Sequence, residues 1–226
     1  MKVLIFGATG MVGQGVLREC LSDTGVTAVQ TIGRNKSGIM NPKLKEIRHN
    51  SMADYSGLEE QLTGFDACFF CLGVSSVGMG ATEYTRVTYN ITEAAAETLA
   101  RLNADMTFIY VSGAGSDSTE QGRIMWRRVK GKTENMLLRL PFKAAYMFRP
   151  GIIQPLRGIH SKTIMYSVLY TIFRPAVYLL RKFFPKAVIT TRELGQAMLN
   201  AVRFGSDKNI LEAADIKFYS DRSNFA

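Results

Sequence analysis

At 226 residues, 46% hydrophobic and 21% charged, the chain can bury the core of one α/β domain, and its composition excludes a disordered or low-complexity protein. The net charge of +9 is concentrated: residues 123–192 hold 15 Lys or Arg and one acid, Glu134, whereas the rest is mildly acidic. Such a block suits a solvated basic face or an anionic partner, whether nucleic acid, acidic lipid, or a phosphorylated or carboxylated ligand.

The apolar run at 2–6 ends in glycine, as a buried parallel strand does. It is too short and too glycine-broken for a signal peptide. Residues 11–22 carry apolar side chains at helical spacing, and 27–33 read as a second strand. A weaker strand is expected near 45–49, then a helix through 56–63 with Asp54 placed to cap it. Residues 66–72 form a strongly apolar strand, and 81–102 a long helix rich in Ala, Glu and Leu. A strand at 106–112, a helix at 123–140 and a strand at 144–149 follow. This alternation predicts an α/β fold, a doubly wound parallel Rossmann sheet built from right-handed crossovers. We read 1–226 as a single domain, with 152–226 a substrate-side or interface extension: a basic apolar stretch, a helix at 192–204 and a short tail.

Three cysteines, Cys20, Cys68 and Cys71, make no disulfide framework in a chain this long. Cys68 and Cys71 lie three apart on a strand and point to opposite faces, so they cannot grip one metal. The histidines are His49 and His160 alone, and no second pair completes a zinc site, so no metal is expected. A reducing compartment follows, and the expected location is cytoplasmic.

Gly7-Ala8-Thr9-Gly10-Met11-Val12-Gly13 lies between the first strand and the first helix. Gly7 permits the tight turn, Gly10 lets the backbone approach a pyrophosphate, and Gly13 lets helix and strand pack closely. The helix N-terminus adds unpaired N–H groups and partial positive charge, so Thr9, Met11 and Val12 join the glycines as cofactor-binding candidates. The second strand ends in Gly33-Arg34, where an NAD-binding chain carries an acid for the ribose 2′-OH. Arginine there accommodates the 2′-phosphate of NADP, with Lys36 in reach to assist.

The glycine spacing, Cys71-Leu72-Gly73, the helix 82–90 (TEYTRVTYN), the strand end 111–115 (VSGAG) and 147–153 (MFRPGII) together resemble atypical short-chain dehydrogenases/reductases. Within them the chain resembles the Tat-interacting protein group and its epimerase-like relatives. The similarity covers residues 1 to about 155 and, more loosely, the remainder. The resemblance implies that Leu72 and Gly73 pass beneath the cofactor, and that Pro150, Gly151 and Ile152 flank the nicotinamide. It further implies a Tyr-x-x-x-Lys on the helix after the fifth strand, with a Ser or Thr at that strand's end. In that mechanism the lysine lowers the tyrosine pKa and binds the ribose, and the tyrosine moves the proton.

The matching helix reads Trp126-Arg127-Arg128-Val129-Lys130. Lys130 takes the lysine's place as cofactor-binding and catalytic residue, but the tyrosine's place holds Trp126. Indole N–H only donates and exchanges no proton near neutral pH. The hydroxyl's place falls to Ser112 or is lost to Gly113. Tyr178-x-x-x-Lys182 repeats the motif beyond the sixth strand, in a substrate-contact region by resemblance, and reads as chance. Tyr84 and Tyr89 lie on the 81–102 helix, where packing is the plainer role for both.

Residues 163–173 and 175–180 are uncharged, but Arg174-Pro175 interrupts them, short of the about 20 apolar residues a membrane span needs. The 157–186 segment therefore walls a substrate pocket, forms a subunit interface in a homo-oligomer, or lies on an anionic membrane surface. The membrane reading is not favoured, and cations interleaved with aliphatic groups argue against nucleic acid. The expected protein is an NADP(H)-binding oxidoreductase-like enzyme with a small anionic or apolar substrate. The alternative is a catalytically silent NADP(H)-binding module that regulates protein or membrane association.

Overall fold

The computed structural model describes residues 1–156 and 188–222. The 157–186 segment, with His160, Tyr178 and Lys182, lies outside the described residues. Nine strands are described: β1 (Lys2–Phe6), β2 (Ala28–Gly33), β3 (Leu44–Arg48), β4 (Ala67–Phe70), β5 (Thr107–Val111), β6 (Ala144–Arg149), β7 (Ile152–Gln154), β8 (Val188–Thr190) and β9 (Ile210–Glu212). The described helices are α1 (Met11–Ser22), α2 (Ala81–Thr85), α3 (Ile91–Leu102), α4 (Met125–Arg139), α5 (Thr191–Phe204) and α6 (Ala213–Asp221).

Seven strands form one parallel sheet in the order β3-β2-β1-β4-β5-β6-β9, while β7 and β8 pair separately. This is a Rossmann fold, doubly wound about β1, and its strand order reverses between β1 and β4. The crevice at that reversal, outside the carboxyl ends of the strands, is where such sheets bind ligands.

Successive strand residues feed opposite layers of core. Val3 and Ile5 join Val16, Leu17 and Cys20 of α1 and Leu194, Ala197 and Met198 of α5. Leu4 and Phe6 join Phe70, Phe108 and Tyr110, covered by Ala95 and Leu99 of α3 and Leu137 of α4. Cys68 belongs to this second layer, whereas Cys71 packs against the first, so the two thiols do face apart.

The structure departs from the sequence reading at three places. The 56–63 helix shrinks to a single 3₁₀ turn, Glu59–Leu62. Asp54 accepts from the Ser56 amide at 2.9 Å, and Gly57 enters the left-handed region at φ +79°, which ends any helix there. The 81–102 helix is interrupted by a π turn at Arg86–Asn90. Beyond residue 205 the chain is more than a tail, since β9 extends the main sheet alongside β6 and α6 returns against α5. Among the described residues, no helix is long and apolar enough to cross a membrane.

Candidate functional site

The turn after β1 has the shape that its glycines require. Gly7 sits at φ +77°, and a Cβ there would stand 2.8 Å from the Cys71 backbone at the end of β4. A Cβ on Gly13 would stand 2.1 Å from the Gly7 carbonyl, so α1 could not approach β1 this closely with any other residue. Gly10 takes the N-cap position in extended geometry and donates its N–H to the Gly7 carbonyl at 2.9 Å. The first helical bond runs from Gln14 N–H to the Gly10 carbonyl at 2.9 Å. The amides of Met11, Val12 and Gly13 therefore lack intrahelical acceptors. No side chain caps this end and no acid occupies its first turn, while Gln14 Nε2 steadies the loop through the Thr9 carbonyl at 3.1 Å. A turn packed this tightly against β4 and α1, with the first amides of α1 left unpaired, fits a pyrophosphate.

Arg34 and Lys36 are exposed on the loop that follows β2. Glu46 of β3 braces this loop by accepting from the Ser37 amide at 2.7 Å. Leu72 and Gly73 follow β4 at the carboxyl edge of the sheet. A Cβ on Gly73 or on Gly113 would meet no atom within 4 Å, so open space lies beside both.

On the far side of the reversal, the end of β5 is stitched to the end of β6. Ser112 N–H donates to the Phe148 carbonyl at 2.9 Å, and Ala114 N–H to the Pro150 carbonyl at 3.0 Å. Ser112 is buried, and its hydroxyl also donates to the Phe148 carbonyl, at 3.2 Å. Pro150 is buried, while Gly151 and Ile152 are exposed. Trp126 and Lys130 stand one turn apart on α4 and so share a face. Both are half-buried, and Arg127 lies 5.4 Å from the Trp126 ring. The Lys130 ammonium donates to the Ser112 carbonyl and lies 5.9 Å from the Tyr110 ring. Burial pushes its pKa down to about 8, against the opposing pull of Glu134.

Glu134 carries a role that sequence reasoning missed. It is fully buried one turn beyond Lys130 and is gripped by Arg149, whose Nε donates to it at 3.0 Å. Arg149 also reaches Ser118 Oγ at 2.6 Å and Glu212 at 3.2 Å, so it ties α4, the 112–122 loop and β9 to the end of β6. The available signal was Glu134 as the lone acid of the basic block. Gly131 is a second omission: a Cβ there would lie 1.7 Å from the Asp117 carbonyl, so glycine lets the loop rest on α4 beside Lys130.

The tyrosines of the 81–102 region are packing residues. Tyr84 is buried, and Tyr89 donates to Glu93 at 2.7 Å beneath Lys132.

No family profile matches the chain. It is 23% identical over 228 residues to the mitochondrial protein FMP52-1 of Scheffersomyces stipitis, covering 98% of this chain and 96% of that protein. It is 29% identical to protein HTATIP2 of Rattus norvegicus over 155 residues, covering 67% of this chain and 62% of that protein. Among solved structures, the fold matches the Bordetella bronchiseptica enzyme WbmF in complex with NAD+ at a TM-score of 0.68 and 13% identity, over 100% of this chain and 79% of that one. It also matches the UDP-N-acetylglucosamine 4-epimerase of Methanobrevibacter ruminantium M1 at a TM-score of 0.69 and 15% identity, over 93% and 75%. The expectation of a cytoplasmic protein is overturned by the FMP52 relatives, which are named as mitochondrial. The resemblance to the Tat-interacting protein group is borne out by these relatives, on a Rossmann fold shared with short-chain dehydrogenases/reductases and epimerases.

Proposed function

We propose that the protein binds NADP(H) across the carboxyl edge of its sheet and acts with it as an oxidoreductase on a small anionic or apolar molecule. The observation that carries this reading is the glycine cradle, where contacts at Gly7 and Gly13 leave no room for a side chain and the α1 amides stay unpaired. In this reading Thr9, Gly10, Met11, Val12 and Gly13 hold the pyrophosphate and Arg34 the 2′-phosphate. Leu72 and Gly73 lie beneath the cofactor, Lys130 binds its ribose, and Pro150, Gly151 and Ile152 border the nicotinamide. Bound there, the nicotinamide would supply or accept hydride.

Calorimetric titration should show NADPH binding more tightly than NADH. Arg34→Ala should erase most of that difference, because a charge-assisted contact is lost for NADPH alone. Equal affinities in the parent protein would refute the choice of NADP.

A second reading, a binding module without turnover, is favoured by Trp126 in the tyrosine's place and by the engaged Ser112 hydroxyl. It predicts that NADPH binds but is not consumed with any carbonyl substrate.

A further inference from the structure

Three positions normally share the proton chemistry of such a site, and only one of them can exchange a proton here. Trp126 supplies an N–H that stays put near neutral pH. The Ser112 hydroxyl is buried and spent on the Phe148 carbonyl. Lys130 shares the Trp126 face of α4 and reaches the end of β5, where its ammonium meets a main-chain carbonyl rather than a carboxylate. Its nearest acid, Glu134, is held by Arg149. We propose that the Lys130 ammonium is itself the proton donor of this site, taking the part of the tyrosine that Trp126 replaces.

The surroundings suit that part. Among the described residues, the charged and titratable groups facing Lys130 are Glu134 on its own helix, held by Arg149 of β6, and Tyr110 from β5, which Tyr84 of α2 influences in turn. Burial raises Tyr110 above the ordinary tyrosine range, so it does not compete as an acid. Lys130 itself is brought down to about 8, close to where a general acid works best at neutral pH. This inference rests on the NADP(H) reading above. In the step, bound reduced cofactor would supply hydride: its C4–H bond would break as a C–H bond forms at a substrate carbonyl carbon and the C=O π bond opens, leaving oxidised nicotinamide. The Lys130 Nζ–H bond breaks, its proton goes to the carbonyl oxygen, and the neutral amine recovers a proton from water.

The test combines turnover with a readout that needs no substrate. With NADPH and a panel of small aldehydes and ketones, the parent rate should fall as pH rises through about 8. Lys130→Arg keeps a cation near the Ser112 carbonyl but cannot release its proton, so turnover at saturating NADPH should drop by about 10²-fold or more. In the cofactor-free protein, carbon-13 NMR of the lysine side chains should show Lys130, assigned by its loss in Lys130→Arg, titrating near 8. A circular dichroism melt confirms that the variant folds, and Lys130→Met serves as a second variant. Three results each overturn the proposal: a Lys130→Arg rate equal to the parent's, a Lys130 midpoint at the ordinary ~10.4, or bound NADPH never consumed with any member of the panel. Failure of NADPH to bind the parent protein would instead overturn the cofactor reading.

Discussion

Lys130 brings a positive charge into a place that burial makes unfavourable, and the consequence extends to stability. Its folded pKa of about 8 lies below the ~10.4 of an exposed lysine. Below about 8 the group is charged in both folded and unfolded chains, and the burial penalty is felt in full. Between about 8 and ~10.4 the unfolded chain holds more protons, so stability rises with pH across that window. Lys130→Met removes this dependence. Denaturant melts from pH 7 to 10 should show the parent gaining on the variant as pH rises, and a constant gap would refute the burial of the charge. Lys130 and Trp126 were legible through the family resemblance, whose motif lies within one helix. The Glu134–Arg149 pair was not legible, since it joins α4 to β6 through a contact that only the sheet order creates.

The long periodic elements could be read from the sequence, and their ends were decided by local hydrogen bonds. α5 is the clearest case, because its start carries Thr190-x-x-Glu193, a capping box visible in the sequence. The Thr190 hydroxyl accepts from the Glu193 amide at 3.1 Å, and the Glu193 carboxylate accepts from the Thr190 amide at 2.7 Å. Burial would raise the Glu193 pKa, but Lys217 of α6 at 2.6 Å and the Thr190 bonds hold it below the ordinary range. Its contribution is therefore present above the unfolded value of ~4.3 and is lost as pH falls through the lower folded value. Thr190→Ala should cost about 1 kcal/mol at neutral pH and move the acid-unfolding midpoint upward, both readable by circular dichroism. The π turn at Arg86–Asn90 left no such signature, because helical periodicity runs through it unbroken.

At the scale of the molecule, the fold is completed by residues that carry almost no local signal. β9 has three residues, too few for a pattern to show, yet it closes the β6 edge of the main sheet in register with Met147, Phe148 and Arg149. The Met147 amide donates to the Asn209 carbonyl at 2.7 Å, and Asn200 Nδ2 donates to the Tyr219 carbonyl at 2.8 Å. Leu211, Ile216 and Tyr219 are buried in the same layer of core as α1 and α5. Ending the chain after Phe204 would expose that layer and strip Arg149 of Glu212 at the end of β6. Each lost large apolar side chain is worth ~1.5–3 kcal/mol, against a total stability of ~5–15 kcal/mol for a typical domain. The truncated chain should therefore aggregate or melt without a cooperative transition, and any folded fraction should bind NADPH more weakly than the full chain. A sharp melt near the parent's temperature would show that β9 and α6 are dispensable. Unchanged NADPH affinity in such a chain would show that the Arg149–Glu212 contact does not support the cleft.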